Sequence, residues 1–184
     1  MDNFNINPSP SDMKERDEIL ANSYRSLIYF GRAFLPNDFL KKSKSPEFHF
    51  DVANKLISAK PGSRSCIIMP RGFAIMHKLV FAQDDEQHFI AWVSEEQSQS
   101  IDHLKYLRNH FEMNKRLRYY FGNLDGGAAG KRWTEKDIVT PKGDRLIAKG
   151  TSQRLRGRAE VDVRYTGIIL DDFESELNTK TPER

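Results

Sequence analysis

Two stretches of this chain carry residue types whose spacing could do chemistry. In "GIILDDFESE", residues 167–176, an apolar run leads into Asp171-Asp172 and then Glu174 and Glu176. A buried strand that ends this way delivers its carboxylates at the rim of a sheet, where a metal can keep them ionised. Hydrolysis of a phosphoanhydride needs one carboxylate for magnesium and another that orients water. Asp171 is the candidate for the metal, and Asp172 or Glu174 for the water. The plainer alternative is a strand that ends in a solvated acidic turn. In "CIIMPRGFAIMHKLVFA", residues 66–82, the apolar run Cys66–Met69 meets Pro70-Arg71-Gly72, the way a buried strand turns toward a phosphate. Phe73 and Ala74 continue the candidate cradle, and Lys78 is its nearest lysine. The loop lacks two parts. No Ser or Thr occurs between Ser65 and Ser94, so no hydroxyl near Gly72 can reach magnesium. Lys78 also stands past Ile75-Met76-His77, and a helix turns by about 100° per residue, which can aim its ammonium away from the phosphates.

These groups need elements to position them. Residues 1–11 are polar with two prolines and read as a tail. Asp12 with Glu15 resembles a capping box, and Leu20, Tyr24, Leu27 and Ile28 follow at helical spacing up to Gly31. Ser45-Pro46 opens a second helix with Phe48, Val52 and Leu56 as its buried stripe, ended by Pro61-Gly62. "AIMHKLVFAQ" is helical, and "HFIAWVS" is a buried strand. Ser94, supported by Gln97, caps a helix bearing Ile101, Leu104, Leu107 and Phe111, which "NKRLRYYFG" continues. "NLDGGAAG" offers nothing to pack and reads as a flexible loop. "DIVTPKGDRLIAKGT" is a hairpin turning at residues 141–144. Apolar strands alternating with helices predict an α/β fold with a mainly parallel sheet covered on both faces. Ligands of such sheets bind beyond the carboxyl ends of the strands, where both candidate motifs fall.

Composition limits the classes available. At 184 residues, with 38% hydrophobic and 30% charged, the chain suits one globular domain with a real core. Its net charge of +3 says little about nucleic acid. The single Cys excludes an internal disulfide and fits a reducing compartment. No apolar run reaches the roughly 20 residues of a membrane span, so no membrane partner is expected. The reading is a soluble intracellular protein.

Taken in order, the segments resemble the ATPase half of the large terminase subunit of tailed bacteriophages, the motor that packs DNA into capsids. "YFGRAFLPNDF" and "SPEFHFDVANKL" resemble the segment ahead of its phosphate loop, and "IIMPRGFA" its Walker A strand and turn. "FIAWVSEEQSQSIDHLKYLRNHFEMNKRLRYYFG" resembles the next strand and helices. "KRWTEKDIVTPKGDRLIAKGTSQRLRG" leads to an Arg-Gly element, and "GIILDDFESE" resembles Walker B. The similarity runs from about Leu27 to the end. It implies a P-loop NTPase-like, ASCE-type α/β fold, with helices at 12–60 and a nucleotide-binding core at 63–184. It implies ATP and Mg2+ as cofactors and double-stranded DNA as partner. A homo-oligomeric ring, the portal and the small terminase subunit are further implied partners, in the host cell cytoplasm.

By the same resemblance Phe48 and His49 sit where the family contacts adenine, and Arg156 matches an arginine that reaches a neighbouring subunit's nucleotide. The alternatives are a core Phe, a surface His, and a solvated arginine among Arg154, Arg158 and Arg164. Ile75-Met76-His77 depart from the family's Lys-Ser or Lys-Thr. The opposing reading is therefore a catalytically inactive terminase-like module that binds DNA or motor partners. The chain stops soon after Walker B, so no nuclease activity is carried over, and the sheet is expected to be incomplete, with "SCIIM" unpaired on one side. Lys131-Arg132 is a weaker candidate for DNA phosphates. His88, His103 and His110 lack metal-site spacing and read as surface or core histidines. Trp92 and Trp133 read as packing residues.

Overall fold

The computed structural model describes residues 10–35, 47–58, 72–82, 86–153 and 165–172. The chain folds as two compact units, Met1–Ala82 with Asn114–Gly122 and Gln83–Met113 with Asn123–Arg184.

The described residues of the first unit are mostly helical. Its helices are α1 (Pro10–Arg25), α2 (Leu27–Phe34), α3 (Glu47–Ile57) and α4 (Gly72–Val80). The single helix expected from Asp12 to Gly31 is instead two, because Ser26 adopts extended backbone (φ −137°, ψ 110°). Its hydroxyl accepts from the Tyr29 N–H at 3.2 Å, so Ser26 caps α2 while the apolar spacing runs on across the break. Asp12 lies in the first turn of α1, where a carboxylate opposes the positive end of the helix dipole. Leu27, Ile28, Phe30 and Phe34 of α2 are buried. In α3, Ala53 is buried and Phe50 exposed. From α4 the core receives Ile75, Met76, Leu79 and Val80.

Helix α5 (Gln97–Met113) belongs to the second unit, and the helix that follows it in the chain, α6 (Lys115–Phe121), to the first. The expected continuous helix stops at Asn114, whose Oδ1 accepts from the Arg116 and Leu117 N–H groups at 3.1 and 3.0 Å. Asn114 Nδ2 donates to the Phe34 carbonyl at 2.8 Å, joining α6 to α2 within the first unit. Phe121 of α6 then packs edge-on to Phe81 at 5.1 Å.

The second unit contains β1 (Phe89–Ser94), β2 (Asp137–Val139), β3 (Arg145–Gly150) and β4 (Gly167–Leu170), together with α5. The sheet order is β2-β3-β1-β4, with β3 and β4 parallel to β1 and β2 antiparallel to β3. Among the described residues the fold is thus α/β, with a four-stranded, mostly parallel open sheet flanked by α5. Helix α5 packs on β1 and β3. Ala91, Val93 and Ile147 form an apolar cluster with Phe89 and Tyr165. In register, Ala91 pairs with Ile168 and Val93 with Leu170. Ile168 and Leu170 are each 51% exposed, so β4 is half-buried and not the fully buried strand that its composition suggests.

The hairpin forms as expected, with Gly143 at φ 100°, a conformation that favours glycine. Buried Asp144 accepts from the His88 N–H at 2.9 Å and ties the hairpin to the entry of β1. The glycine-rich stretch is packed in part, through buried Leu124 and Gly126, while residues 127–130 are exposed as expected. Asp125 Oδ1 accepts from the Gly127 and Ala128 N–H groups at 2.8 and 3.2 Å. A Cβ on Gly126 would stand 1.7 Å from the Val139 carbonyl oxygen and 2.9 Å from the Trp133 ring. Trp133 is a packing residue: its N–H donates to Glu112, and Arg108 lies over its ring at 5.8 Å. Among the described residues no helix is long and apolar enough to cross a membrane.

Candidate functional site at the strand ends

At the carboxyl ends of β1 and β4, residues of one face meet in a cleft of about 240 Å³, lined by Ser94, Gln99, Asp102, His103, Asp171 and Asp172. Side chains alternate along a strand, so Ser94 shares a face with Trp92. Trp92 is 1% exposed and stacks on His103 of α5 with ring centroids 4.5 Å apart and planes 13° apart. Ser94 therefore points to the α5 side of the sheet.

The expectation that Ser94 caps α5 fails. The helix begins at Gln97, and the turn before it is closed by Gln99, whose Oε1 accepts from the Glu96 N–H at 3.3 Å. Gln97 instead donates to the Ala148 carbonyl at 3.0 Å. Ser94 stays in β1, 1% exposed, and its hydroxyl has no hydrogen-bond partner among the described residues.

Asp171 follows directly on β4. Its N–H donates to the Val93 carbonyl at 2.8 Å, which sets it level with Ser94. It is 7% exposed, and its Oδ2 lies 3.0 Å from His103 Nε2. A buried carboxylate needs such a partner. Asp172 adopts φ 45°, a left-handed conformation that Asp tolerates better than most residues. Its carbonyl accepts from the Glu95 N–H at 2.9 Å, which fixes the turn and leaves the residue exposed. The carboxylate pair thus diverges: Asp171 is held inside and Asp172 stands at the rim.

The loop candidates divide differently. Gly72, Phe73, Ala74 and Lys78 all belong to α4, with Lys78 on its exposed side. His77 is buried: its Nε2 donates to the Ser23 carbonyl at 2.9 Å and to the Tyr24 carbonyl at 3.3 Å. Burial lowers its pKa below the ordinary 6.5, and the two carbonyls offset this only in part. Its ring meets Phe30 at 5.3 Å and Phe81 at 4.9 Å. Phe48 and His49 lie on α3, their side chains outside the described residues, as are Pro70, Arg71, Arg156, Glu174 and the stretch "SCIIM", expected as a strand.

The sequence reads His103 as a surface or core histidine, without the role beside Asp171. Its signal was the spacing Gln99 and His103, four residues apart on one face of a helix that follows directly on a strand end. Among the described residues no group of three or more His, Cys, Asp or Glu is arranged to hold a metal ion. Magnesium binds through one or two carboxylates and keeps several waters, and Asp171 supplies a carboxylate of that kind. Comparisons with protein-family models, curated proteins and solved structures yield no match.

Proposed function

We propose that the chain is the ATPase part of a terminase large subunit, coupling ATP hydrolysis to translocation of double-stranded DNA as one member of a homo-oligomeric ring. The observation that carries this reading is the emergence of Asp171 and Asp172 at the carboxyl end of a parallel strand, beside the unpartnered Ser94 hydroxyl. Open α/β sheets bind their ligands there, and ATP hydrolysis requires carboxylates there. The resemblance supplies the finer fold, a P-loop NTPase of the ASCE type, and the remaining parts. Magnesium, when held by Asp171, neutralises charge on the phosphate oxygens. Asp172 at the rim, with Glu174, orients water. By the resemblance, Pro70 to Ala74 and Lys78 would contact the phosphates, Phe48 and His49 the adenine, and Arg156 a neighbour's nucleotide.

A second reading, an inactive terminase-like module that binds DNA or motor partners, is favoured by a different observation. Ile75, Met76 and His77, which stand where the family places its lysine and hydroxyl, are committed to the interior of the first unit. Weak nucleotide binding is expected on that account. A fluorescent ATP analogue and a phosphate-release assay with double-stranded DNA separate the readings. DNA-stimulated hydrolysis that is lost in Asp172→Asn supports the motor, whereas DNA binding without hydrolysis supports the module. Micromolar nucleotide affinity that disappears in Lys78→Ala would mean that the loop rewinds to deliver Lys78. A chain that binds neither DNA nor nucleotide overturns both.

A further inference from the structure

A phosphate loop ordinarily contributes a hydroxyl to the magnesium ion, and this loop has none: no Ser or Thr lies between Ser65 and Ser94. The strand-end cleft offers one from another direction. Ser94 is 1% exposed, and its Oγ has no hydrogen-bond partner among the described residues. A buried hydroxyl left so is costly to the fold. Its neighbour across the strand ends is Asp171, aligned with it by the bond from the Asp171 N–H to the Val93 carbonyl at 2.8 Å. His103 Nε2 lies 3.0 Å from Asp171 Oδ2, and the His103 ring is backed by Trp92. One side of the cleft thus has a held carboxylate, and beside it an oxygen that still needs a partner.

We propose that Ser94 and Asp171 form a divalent-cation site of the magnesium class, with Ser94 Oγ as its neutral oxygen ligand and His103 as the positioning residue of the Asp171 carboxylate. The inference rests on the motor reading for the purpose of the ion, while the site itself requires no nucleotide. The donor chemistry selects the ion class. Magnesium takes oxygen ligands in an octahedral arrangement, two from protein here and the rest from water. His103 Nε2 is engaged with Asp171 and acts from behind the ligand, as the outer partners of metal ligands do. Asp172 at the exposed rim is placed to accept hydrogen bonds from the ion's waters.

The test is Mn2+ titration of the full chain without nucleotide, read as the loss of the free-ion electron paramagnetic resonance signal, with Mg2+ as competitor. One Mn2+ per chain, displaced by Mg2+, is expected. Asp171→Asn should abolish it, and Ser94→Ala should weaken it about tenfold or more, with Ser94→Thr restoring affinity by returning the hydroxyl. His103→Ala should weaken binding by about 10–100-fold, the usual cost of losing an outer partner, and His103→Gln should recover part of that by supplying a donor. Circular-dichroism melts identify any variant that has simply failed to fold, leaving Thr and Gln as the informative pair. Wild-type Mn2+ affinity in folded Ser94→Ala, or no binding at millimolar Mn2+, overturns the proposal. Ser94-dependent Mn2+ binding in a chain that neither binds nor hydrolyses ATP upholds this site and overturns the motor reading. ATP hydrolysis unchanged in Ser94→Ala does the reverse.

Discussion

At the residue scale, the imidazole of His77 lies between Phe30 and Phe81 and donates from Nε2 to the carbonyls of Ser23 and Tyr24. A ring nitrogen must carry its proton to bond a carbonyl, so the Nε2-protonated neutral tautomer is the one built into the core. Burial lowers its pKa in the folded chain below the 6.5 of the unfolded one. The unfolded chain therefore binds more protons in mild acid. The stability contributed by neutral His77 is complete above about pH 6.5 and is lost as pH falls from there through the folded pKa. Thermal melts of wild type and His77→Gln from pH 7.5 to 5 check this. The difference between them should shrink as pH falls, because only the wild type carries the buried imidazole at position 77. A difference independent of pH would show that His77 matters through packing alone.

At the element scale, two single residues divide what apolar spacing reads as continuous helices. Ser26 starts α2 and Asn114 starts α6, each by turning a side-chain oxygen onto N–H groups that a helix start leaves unpaired. Asn114 also anchors the Phe34 carbonyl. Asn114→Ala is expected to cost about 1–2 kcal/mol through the lost cap, plus the lost bond to Phe34. Asn114→Asp keeps the acceptor and loses only the amide donor, so urea unfolding should place it between wild type and Ala. If Asp is as damaging as Ala, the bond to Phe34 carries the effect.

At the scale of the whole molecule, each unit has its own interior: aromatic and helical in the first, sheet-based with Trp92, Leu104, Leu107 and Ile147 in the second. Two interiors are expected to unfold as two calorimetric components, since multi-unit chains depart from all-or-none behaviour. His77 lies in the first unit, so lowering the pH from 7.5 to 6 should depress one component more than the other. A single transition that moves as one would show that the units unfold together. The half-exposed Ile168 and Leu170 of β4 are expected to favour association at high concentration, which light scattering that does not change with concentration would overturn.

What the sequence by itself determined was local. Alternating apolar runs and turn residues specified β1, the hairpin of β2 and β3, and the stretch that becomes β4, because strand and turn preferences act over a few residues. The carboxylates of Asp171 and Asp172 were legible for the same reason: they follow an apolar run directly. Tertiary structure decided the rest. Whether Ser94 caps a helix or ends a strand depends on where the chain turns, and the closing bond from Glu96 to Gln99 took the capping role away from it. Whether His103 is a surface residue depends on a strand that lies far along the chain, since Asp171 reaches it only through pairing of β4 with β1. Whether "NLDGGAAG" packs depends on Trp133 closing over Gly126, a contact between residues that no local preference joins. Local preferences can name the parts of a site. Only long-range pairing decides which of them face one another, because the free energy that selects the pairing comes from burial shared across the whole sheet.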